Sequence, residues 1–483
     1  PILPYAIGTG VSSLNYNGSD SSDYHTRYTL KSSHKENPWE DLINVCYQLN
    51  NSPSSDLYEE LKYSLDIDRT LWFLAQEIVF ADNDSYIHKG GMDYYIYWDQ
   101  ATNRITPLEV DGNTVLLNSN INWRPFYHEA DERFPLLNTL LKNTEIRQRY
   151  LAHLRTILEH YFVEQNINDR IDGYSSLLNQ RVQNDPKKIM NYNEFLNGVI
   201  ELKNAVSNRS LFLKNHSEIN RNGIEISNVN SNTSIGTTGS PLPNEEVIIT
   251  AKINGDVQRV LLYYGLGLDG VFERIQMYDD GLHGDQSAND KIYGATIPGF
   301  SSGIFVRYYI EGIKNDEFST AVYYPEGAEN DVFIYQIEQE KNIVINEFMA
   351  DNINSIQDLA GEYDDWIELY NKGSQTYNLT GYYLSDDKSD LTKWKFPEGT
   401  TIHPDSYLII WADEDLDQAN SNELHANFKL SSKGESLTIS NNHLQVIDSV
   451  IFNTQSSNKS YSRIPNGIGE FKVSEPTFSI NND

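Results

Sequence analysis

The sequence predicts a multidomain α+β protein, with a mainly helical segment followed by two β-rich ones. Three observations predict it. At 483 residues the chain is too long for one ordinary core. Its hydrophobic pattern changes near residue 220, from apolar residues at i, i+3 and i+4 to short alternating runs. The stretch at the change, "NRNGIEISNVNSNTSIGTTGSPLPNEEV", has the Asn, Ser, Gly and Thr content of a linker. The expected boundaries are 1–222, 225–338 and 341–475. Aromatic residues at 12% and apolar residues at 39% suffice for several cores.

In the first segment, "NPWEDLINVCYQLN" and "SSDLYEELKYSL" read as amphipathic helices. "DIDRTLWFLAQEIVF" is apolar nearly all round, which predicts a buried helix, with Asp66 or Asp68 as its N-cap. "MDYYIYWDQATNRITPLEVD" reads as a hairpin of two short strands. Helical patterns follow at roughly 135–163, 167–184 and 192–217.

From 245 to 336 the runs "EVIITAKI", "RVLLYYGL", "FERIQMYDDG", "DKIYGATIP", "GIFVRYYIEGI" and "DVFIYQI" have the length and spacing of strands in a β-sandwich. A second series starts at "NIVINEFMA" and runs through "DWIELYN", "YLIIWAD" and "ESLTISN" to "QVIDSVIF". Trp366, Ile367, Leu369, Tyr383, Leu384, Trp411 and Leu437 are expected to share its core. Gly373, Gly381 and Gly434 suit turns that need φ > 0.

A formal net charge of −32 repels nucleic-acid phosphate and anionic lipid, which excludes both as partners. One cysteine, Cys46, excludes an internal disulfide framework and a cysteine-based zinc site. No apolar run is long enough to span a bilayer. The chain begins at Pro1 without Met or a signal peptide and reads as a processed product or a fragment.

Two acidic stretches carry the candidate chemistry. In "MYDDGLHGDQSANDKIYGATIP", Asp279, Asp280, Asp285 and Asp290 can supply oxygen ligands to one Ca²⁺. The same residues also serve plain turn geometry. In "ADNDSYIHKGGMDYYIYWDQATNRITPLEVDGN", carboxylates cluster where the pattern reads helix, turn, strand, turn. They form either a solvated edge or a metal-phosphate site.

Segment 341–470 resembles the lamin-tail domain family, an immunoglobulin-like β-sandwich. The resemblance rests on "VINEFMADN", "DDWIELYNKGSQTYNLTGYYLSDD", "KWKFPEGTTIHPDSYLIIWADED" and "LHANFKLSSKGESLTISN", in that order. It implies a binding or attachment module, or a spacer without a ligand of its own. The acidic turn of the middle segment is similar to those of immunoglobulin-like domains in bacterial surface proteins.

The stretch "LDIDRTLWFLAQEIVFADNDSYIHKGGMDYYIYWDQATNRITPLEVDGN" resembles the core of the CotH (spore coat protein H) kinase-like family. That resemblance covers roughly 1–220 and implies the C-lobe of a kinase-like fold that uses ATP and Mg²⁺. It places a β-rich N-lobe, the source of the nucleotide's basic contacts, ahead of this region. Carried over residue by residue, Asp84 matches the catalytic base. Glu109 and Asp111 match the acidic pair, in which Asp111 is a Mg²⁺ ligand, and Asp93 matches the metal-side Asn. Lys89 is the residue placed to meet a phosphate. Asn83 and Leu108 stand where the family has Trp, and the acidic pair is Glu-Val-Asp rather than Asp-x-Asp.

The resulting expectation is a secreted or cell-surface bacterial kinase that transfers phosphoryl groups from ATP to protein hydroxyls. Its β domains would act as binding modules for an extracellular protein or polysaccharide, and the chain would be monomeric. The alternative is a non-catalytic surface attachment protein that uses the kinase-like domain as scaffold. Glycoside hydrolysis is the third class, and no carboxylate pair here has the spacing that argues for it.

Overall fold

The protein, described by a computed structural model, is defined over residues 12–88, 93–233, 240–338, 342–419, 423–442 and 444–483, and over the backbone of 2–4. It divides into two compact units, Pro1–Glu338 and Gln339–Asp483. The segments expected over 1–222 and 225–338 both lie in the first.

The first unit opens with strands β1 (Ile2–Pro4) and β2 (Tyr28–Leu30). Helices α1 (Glu40–Asn51), α2 (Leu57–Leu61) and α3 (Ile67–Phe80) follow. Asp66 caps α3 by accepting the Arg69 N–H at 3.1 Å. Asp68 does not cap; its carboxylate is buried. The hairpin is β3 (Tyr94–Asp99) and β4 (Arg104–Glu109), in the antiparallel register Tyr94↔Glu109 to Asp99↔Arg104. Together these strands form a sheet in the order β2-β1-β3-β4. Strand β4 is fastened to the α3 entry by the Asp66 N–H, which donates to Ile105 O at 2.8 Å.

The expected helix at 135–163 is broken. It consists of α4 (Pro135–Asn138), a tight turn Leu140–Lys142, and α5 (Thr144–Thr156), which widens into a π-turn over Ile157–Tyr161. Asn143 interrupts it as the N-cap of α5, accepting from the Ile146 N–H at 3.0 Å. Helices α6 (Glu164–Asn184) and α7 (Tyr192–Lys214) complete the helical part.

The β series of this unit begins earlier than its composition suggests. Glu225–Thr233, inside the expected linker, is strand β5. Among the described residues seven strands follow: β6 (Val247–Asn254), β7 (Val257–Leu266), β8 (Glu273–Met277), β9 (Ile292–Ile297), β10 (Phe305–Lys314), β11 (Ala321–Tyr324) and β12 (Phe333–Gln336), which with β5 make two sheets. One sheet is β5-β6-β9. The other is β11-β10-β7-β8, with β12 also paired to β10. Strand β5 forms because β6 supplies a long ladder from Glu225↔Asn254 to Thr233↔Val247, which outweighs its Asn-rich composition. Ile226, Ile249 and Ile253 of one sheet pack with Val260, Leu262 and Ile310 of the other in one core.

The outer face of the larger sheet carries a different set, in which Tyr263, Tyr309 and Tyr323 pack with Ala152 of α5. Arg149, also on α5, is buried among them. Its guanidinium donates to Glu329 Oε1 at 2.8 Å, to the Tyr309 hydroxyl at 3.1 Å and to the Tyr323 hydroxyl at 3.3 Å. Asp68 of α3 lies 3.7 Å from the same guanidinium, and it accepts from His153 Nε2 at 2.8 Å and from the Glu329 N–H at 3.0 Å. Burial opposes ionisation of Asp68, but His153, Arg149 and that amide together hold its carboxyl below the usual range.

Among its described residues the second unit has twelve strands: β13 (Ile343–Met349), β14 (Asp365–Asn371), β15 (Tyr377–Asn378), β16 (Tyr383–Ser385), β17 (Trp394–Lys395), β18 (Thr401–Ile402), β19 (Tyr407–Ala412), β20 (Leu424–Ala426), β21 (Ser436–Ser440), β22 (Val446–Ile451), β23 (Ser460–Ile464) and β24 (Glu470–Ser474). They form a six-stranded sheet β20-β19-β14-β13-β23-β24, a four-stranded sheet β17-β16-β21-β22 and the pair β15-β18. All pairs are antiparallel except β19 with β20.

Ile367, Leu369, Leu384 and Leu437 share the main core, as expected. Trp366 and Trp411 do not. They form a separate cluster with Met349, because neighbouring residues on a strand face opposite sides of the sheet. Gly381 and Gly434 have positive φ; Gly373 does not, and is small because a Cβ there would sit 2.9 Å from Asn342.

Two outcomes follow. Arg149→Ala strands the buried Asp68 and Glu329 carboxylates and should destabilise the first unit by about 3–5 kcal/mol in urea unfolding. Arg274→Ala, which removes half-exposed pairs with Glu59 and Glu145, should cost about 1 kcal/mol or less. Equal losses would mean that the Arg149 network is not a desolvated one.

In the second unit, burial raises the Glu368 carboxyl from the ordinary value near 4.5 to about 7, against the stabilising bonds from Asn346 and the Ser479 amide. The folded state then holds a proton that the unfolded state releases, so stability falls as pH rises from 4.5 to 7. Glu368→Gln should flatten that fall, read from hydrogen exchange of the β13 and β14 amides across the window.

Candidate functional site

The site grows from the end of α3. Arg209 of α7 is buried against that end and donates to Ile78 O and to Val79 O, and also to Ile121 O and Trp123 O. A guanidinium at a helix C-terminus satisfies the orphan carbonyls and suits the helix dipole. Ala81 then turns the chain with φ 50°, its N–H bonded to Ile78 O at 3.1 Å. This left-handed cap delivers Asp82 beside the helix.

Asp82 is buried and holds the exit turn together. Its Oδ1 accepts from the Asp84 N–H at 3.0 Å and from the Thr114 hydroxyl at 3.4 Å. The loop after β4 clamps the turn from outside, with the Asn83 N–H on Thr114 O and the Leu116 N–H on Phe80 O. One turn back on α3, buried Glu77 accepts the N–H groups of Tyr86 and Ile87, each at 3.3 Å.

The hairpin brings Glu109 to this place. The Glu109 and Asp82 side chains come within hydrogen-bonding reach of each other, two acids facing at the end of the hairpin. Partial burial, then Asp82, then Asp111 push the Glu109 carboxyl up to about 7. Burial, then Glu109 and Asp82, hold Glu77 well above the ordinary glutamate range. Asp111 is exposed and closes an Asx turn with Asn113, accepting its N–H at 3.1 Å and its side-chain amide at 2.9 Å. The ion pairs found among the described residues of this hairpin and helix fall on Asp66 and Asp68, not on Glu77, Asp82, Glu109 or Asp111.

Of the residues predicted from sequence, Glu109 and Asp111 are thus neighbours. Asp93 immediately precedes β3 with φ 52°, and the register Tyr94↔Glu109 places it at the same end of the hairpin. Asp84 stands half-buried on the exit turn. Asp84, Glu109 and Asp111 do not present a trio of ligand oxygens within 4.8 Å; among the described residues only Asp358, Glu362 and Asp364 of the second unit do. Lys89 lies outside the described residues. Sequence reasoning missed Glu77 and Asp82. An acid on the buried stripe of an apolar helix, followed by another just past the helix end, was the available signal. An open groove of about 700 Å³ runs along α3 and β4 to Glu109, lined by Arg69, Trp72, Gln76, Phe80 and Leu108.

The acidic turn of the middle segment is built otherwise. Asp279 accepts the N–H groups of Asp290 and Lys291, and Asp285 accepts those of Gly281 and His283. Asp280 accepts from the Leu282 N–H and contacts His283 Nδ1, and Asp290 accepts from the Ile292 N–H. All four carboxylates serve the turn, and no three of them converge within 4.8 Å.

Comparison with known proteins fits this division. Residues 5–213 match the CotH kinase protein family. Residues 336–454 match the Lamin Tail Domain family. No curated protein matches the chain. One similar solved structure is an uncharacterized protein of Listeria monocytogenes, crystallised in complex with α-D-glucose, β-D-glucose, magnesium and calcium. It is 13% identical with a TM-score of 0.19, over 50% of this chain and 21% of that one. A likeness that slight carries no argument, and the chain spans about a fifth of that protein's length.

Within the CotH segment, four carboxylates at one end of a helix and hairpin, without a paired cation among the described residues, have the donor chemistry that Mg²⁺ takes. Asp82→Asn should lower the Glu109 pKa from about 7 toward the ordinary range, read by carbon-13 carboxyl NMR titration in metal-free buffer. An unchanged value would assign the shift to burial and Asp111.

Proposed function

We propose that the chain is a CotH-type kinase that transfers the γ-phosphoryl group of ATP to a protein hydroxyl at the α3–β4 site. The observation that supports it most is the set of carboxylates Glu77, Asp82, Glu109 and Asp111, none of them ion-paired among the described residues, inside the segment that matches the CotH family. Asp93, Glu109 and Asp111 would hold the metal, and Asp82 and Glu77 would orient Glu109 from behind. Bound Mg²⁺ would neutralise charge on the phosphate oxygens.

Asp84, held by its own N–H on Asp82, would accept the proton of the attacking hydroxyl. The groove lined by Arg69 and Trp72 would seat nucleotide or acceptor. Lys89 is the proposed phosphate contact. We read both β-rich parts as immunoglobulin-like binding modules, the whole as a monomeric secreted or cell-surface bacterial protein, and its partner as an extracellular protein or polysaccharide. The middle turn is the proposed site of a structural Ca²⁺, through whichever oxygen lone pairs of Asp279, Asp280, Asp285 and Asp290 the amides leave open.

Calorimetric titration of ATP with and without Mg²⁺ tests the reading. The chain should bind nucleotide only with Mg²⁺, and Asp111→Asn should weaken that binding by about tenfold or more, about 1.4 kcal/mol, with the fold intact. Absence of Mg²⁺-dependent binding in both proteins would sink the kinase reading and favour an attachment protein in which this domain is scaffold.

A further inference from the structure

The second unit gathers three carboxylates on the loop between β13 and β14. One oxygen from each of Asp358, Glu362 and Asp364 lies within 4.8 Å of the others. The loop has a fixed shape. The Glu362 N–H donates to Asp358 Oδ1 at 2.7 Å, the Asp358 N–H returns to Glu362 O at 3.1 Å, and Gly361 supplies φ +85° between them. It is anchored from outside as well. The Leu359 N–H donates to Glu423 Oε1 at 3.0 Å, Gln418 Nε2 to Glu362 Oε2 at 2.8 Å, and Asn352 Nδ2 to Asp364 O at 2.8 Å.

A second observation is independent of the clustering. Asp358 is only 7% exposed, and its Oδ2 is buried with no hydrogen-bond partner. A buried carboxylate oxygen without a donor is costly, and native folds rarely leave one. The ion pairs of this unit fall elsewhere, on Asp386, Asp413, Glu423, Asp448 and Glu475. The loop therefore holds an orphaned acceptor, two further carboxylates beside it and no paired cation among the described residues.

We propose that Asp358, Glu362 and Asp364 form a divalent-cation site that takes Ca²⁺. Oxygen ligands alone select a hard cation over zinc or copper. Calcium–oxygen bonds of about 2.3–2.6 Å let two ligands of one ion stand up to about 5 Å apart, which the observed spread satisfies. Ca²⁺ tolerates the irregular geometry of a loop, whereas Mg²⁺ demands a near-ideal octahedron. Asp358 provides the buried oxygen, and exposed Glu362 and half-buried Asp364 leave room for water in the remaining positions. The ion would tie the loop to the start of β14. This site is separate from the nucleotide reading and stands or falls without it.

Hydrogen exchange of the full, chelator-stripped chain, with and without millimolar Ca²⁺, tests it together with Ca²⁺ calorimetry. Ca²⁺ should slow exchange across 357–366, and Asp358→Asn should remove one bound equivalent. Asp358 is buried and its variant can misfold, so Glu362→Gln, at an exposed position, is the second arm. It should abolish the loop protection or weaken Ca²⁺ binding there by about tenfold or more. Unchanged exchange of 357–366 on adding Ca²⁺, or protection that persists undiminished in Glu362→Gln, overturns the site. Equal protection by Mg²⁺ at the same concentration overturns the assignment to Ca²⁺.

Discussion

The first unit depends on how it accommodates one buried positive charge. Arg149 leaves water entirely, so its guanidinium must find its hydrogen bonds and counter-charge inside the protein. They come from separate parts of the chain: Asp68 on α3, Glu329 in the loop after β11, and the hydroxyls of Tyr309 on β10 and Tyr323 on β11. Each of these groups is satisfied only when the helical part and the larger sheet are both in place. Helix α3 is about 21 Å long. One end stands in this network through Asp68; the other carries Glu77 and hands the chain to Asp82. Arg209 fixes that second end by taking its last carbonyls. The acidic site is thus mounted on a rod held at both ends by buried guanidinium groups.

What the sequence made legible were the features that depend on near neighbours. Period 3.6 located α1 and α3, alternation located the hairpin and most β runs, and Asp66 was readable as a cap because capping is settled within four residues. What it did not make legible depends on distant partners. Strand β5 looks like a linker until β6 is beside it. Arg149, in a run of alternating charges, looks like a solvated helix face until four tyrosines and two carboxylates enclose it. Trp366 reads in sequence as a core residue beside Ile367, yet adjacent strand residues face opposite sides of the sheet and only Ile367 enters the main core. In the candidate site the hairpin acids were visible from motif resemblance. Glu77 and Asp82 were not, because a helical acid and a post-helix acid ordinarily read as a solvated face and a turn.

The acidic composition resolves into three treatments of a carboxylate. Asp68 is compensated by full charges, and its carboxyl titrates low despite burial. Asp279 and Asp285 are compensated by backbone dipoles, each taking two N–H groups, as turns require. Glu109 receives neither. It faces another acid within hydrogen-bonding reach and is pushed up to about 7. Asp358 belongs with it, since only one of its oxygens finds a donor. Acidic density alone therefore does not separate a cation site from a turn: the loaded turn of the middle segment has more aspartates than the α3 exit, but its donors are already in place. What sets the loop before β14 apart is a buried carboxylate oxygen, Asp358 Oδ2, left without a donor once the backbone has closed, and what sets the α3 exit apart is a carboxylate, Glu109, whose partner is another acid.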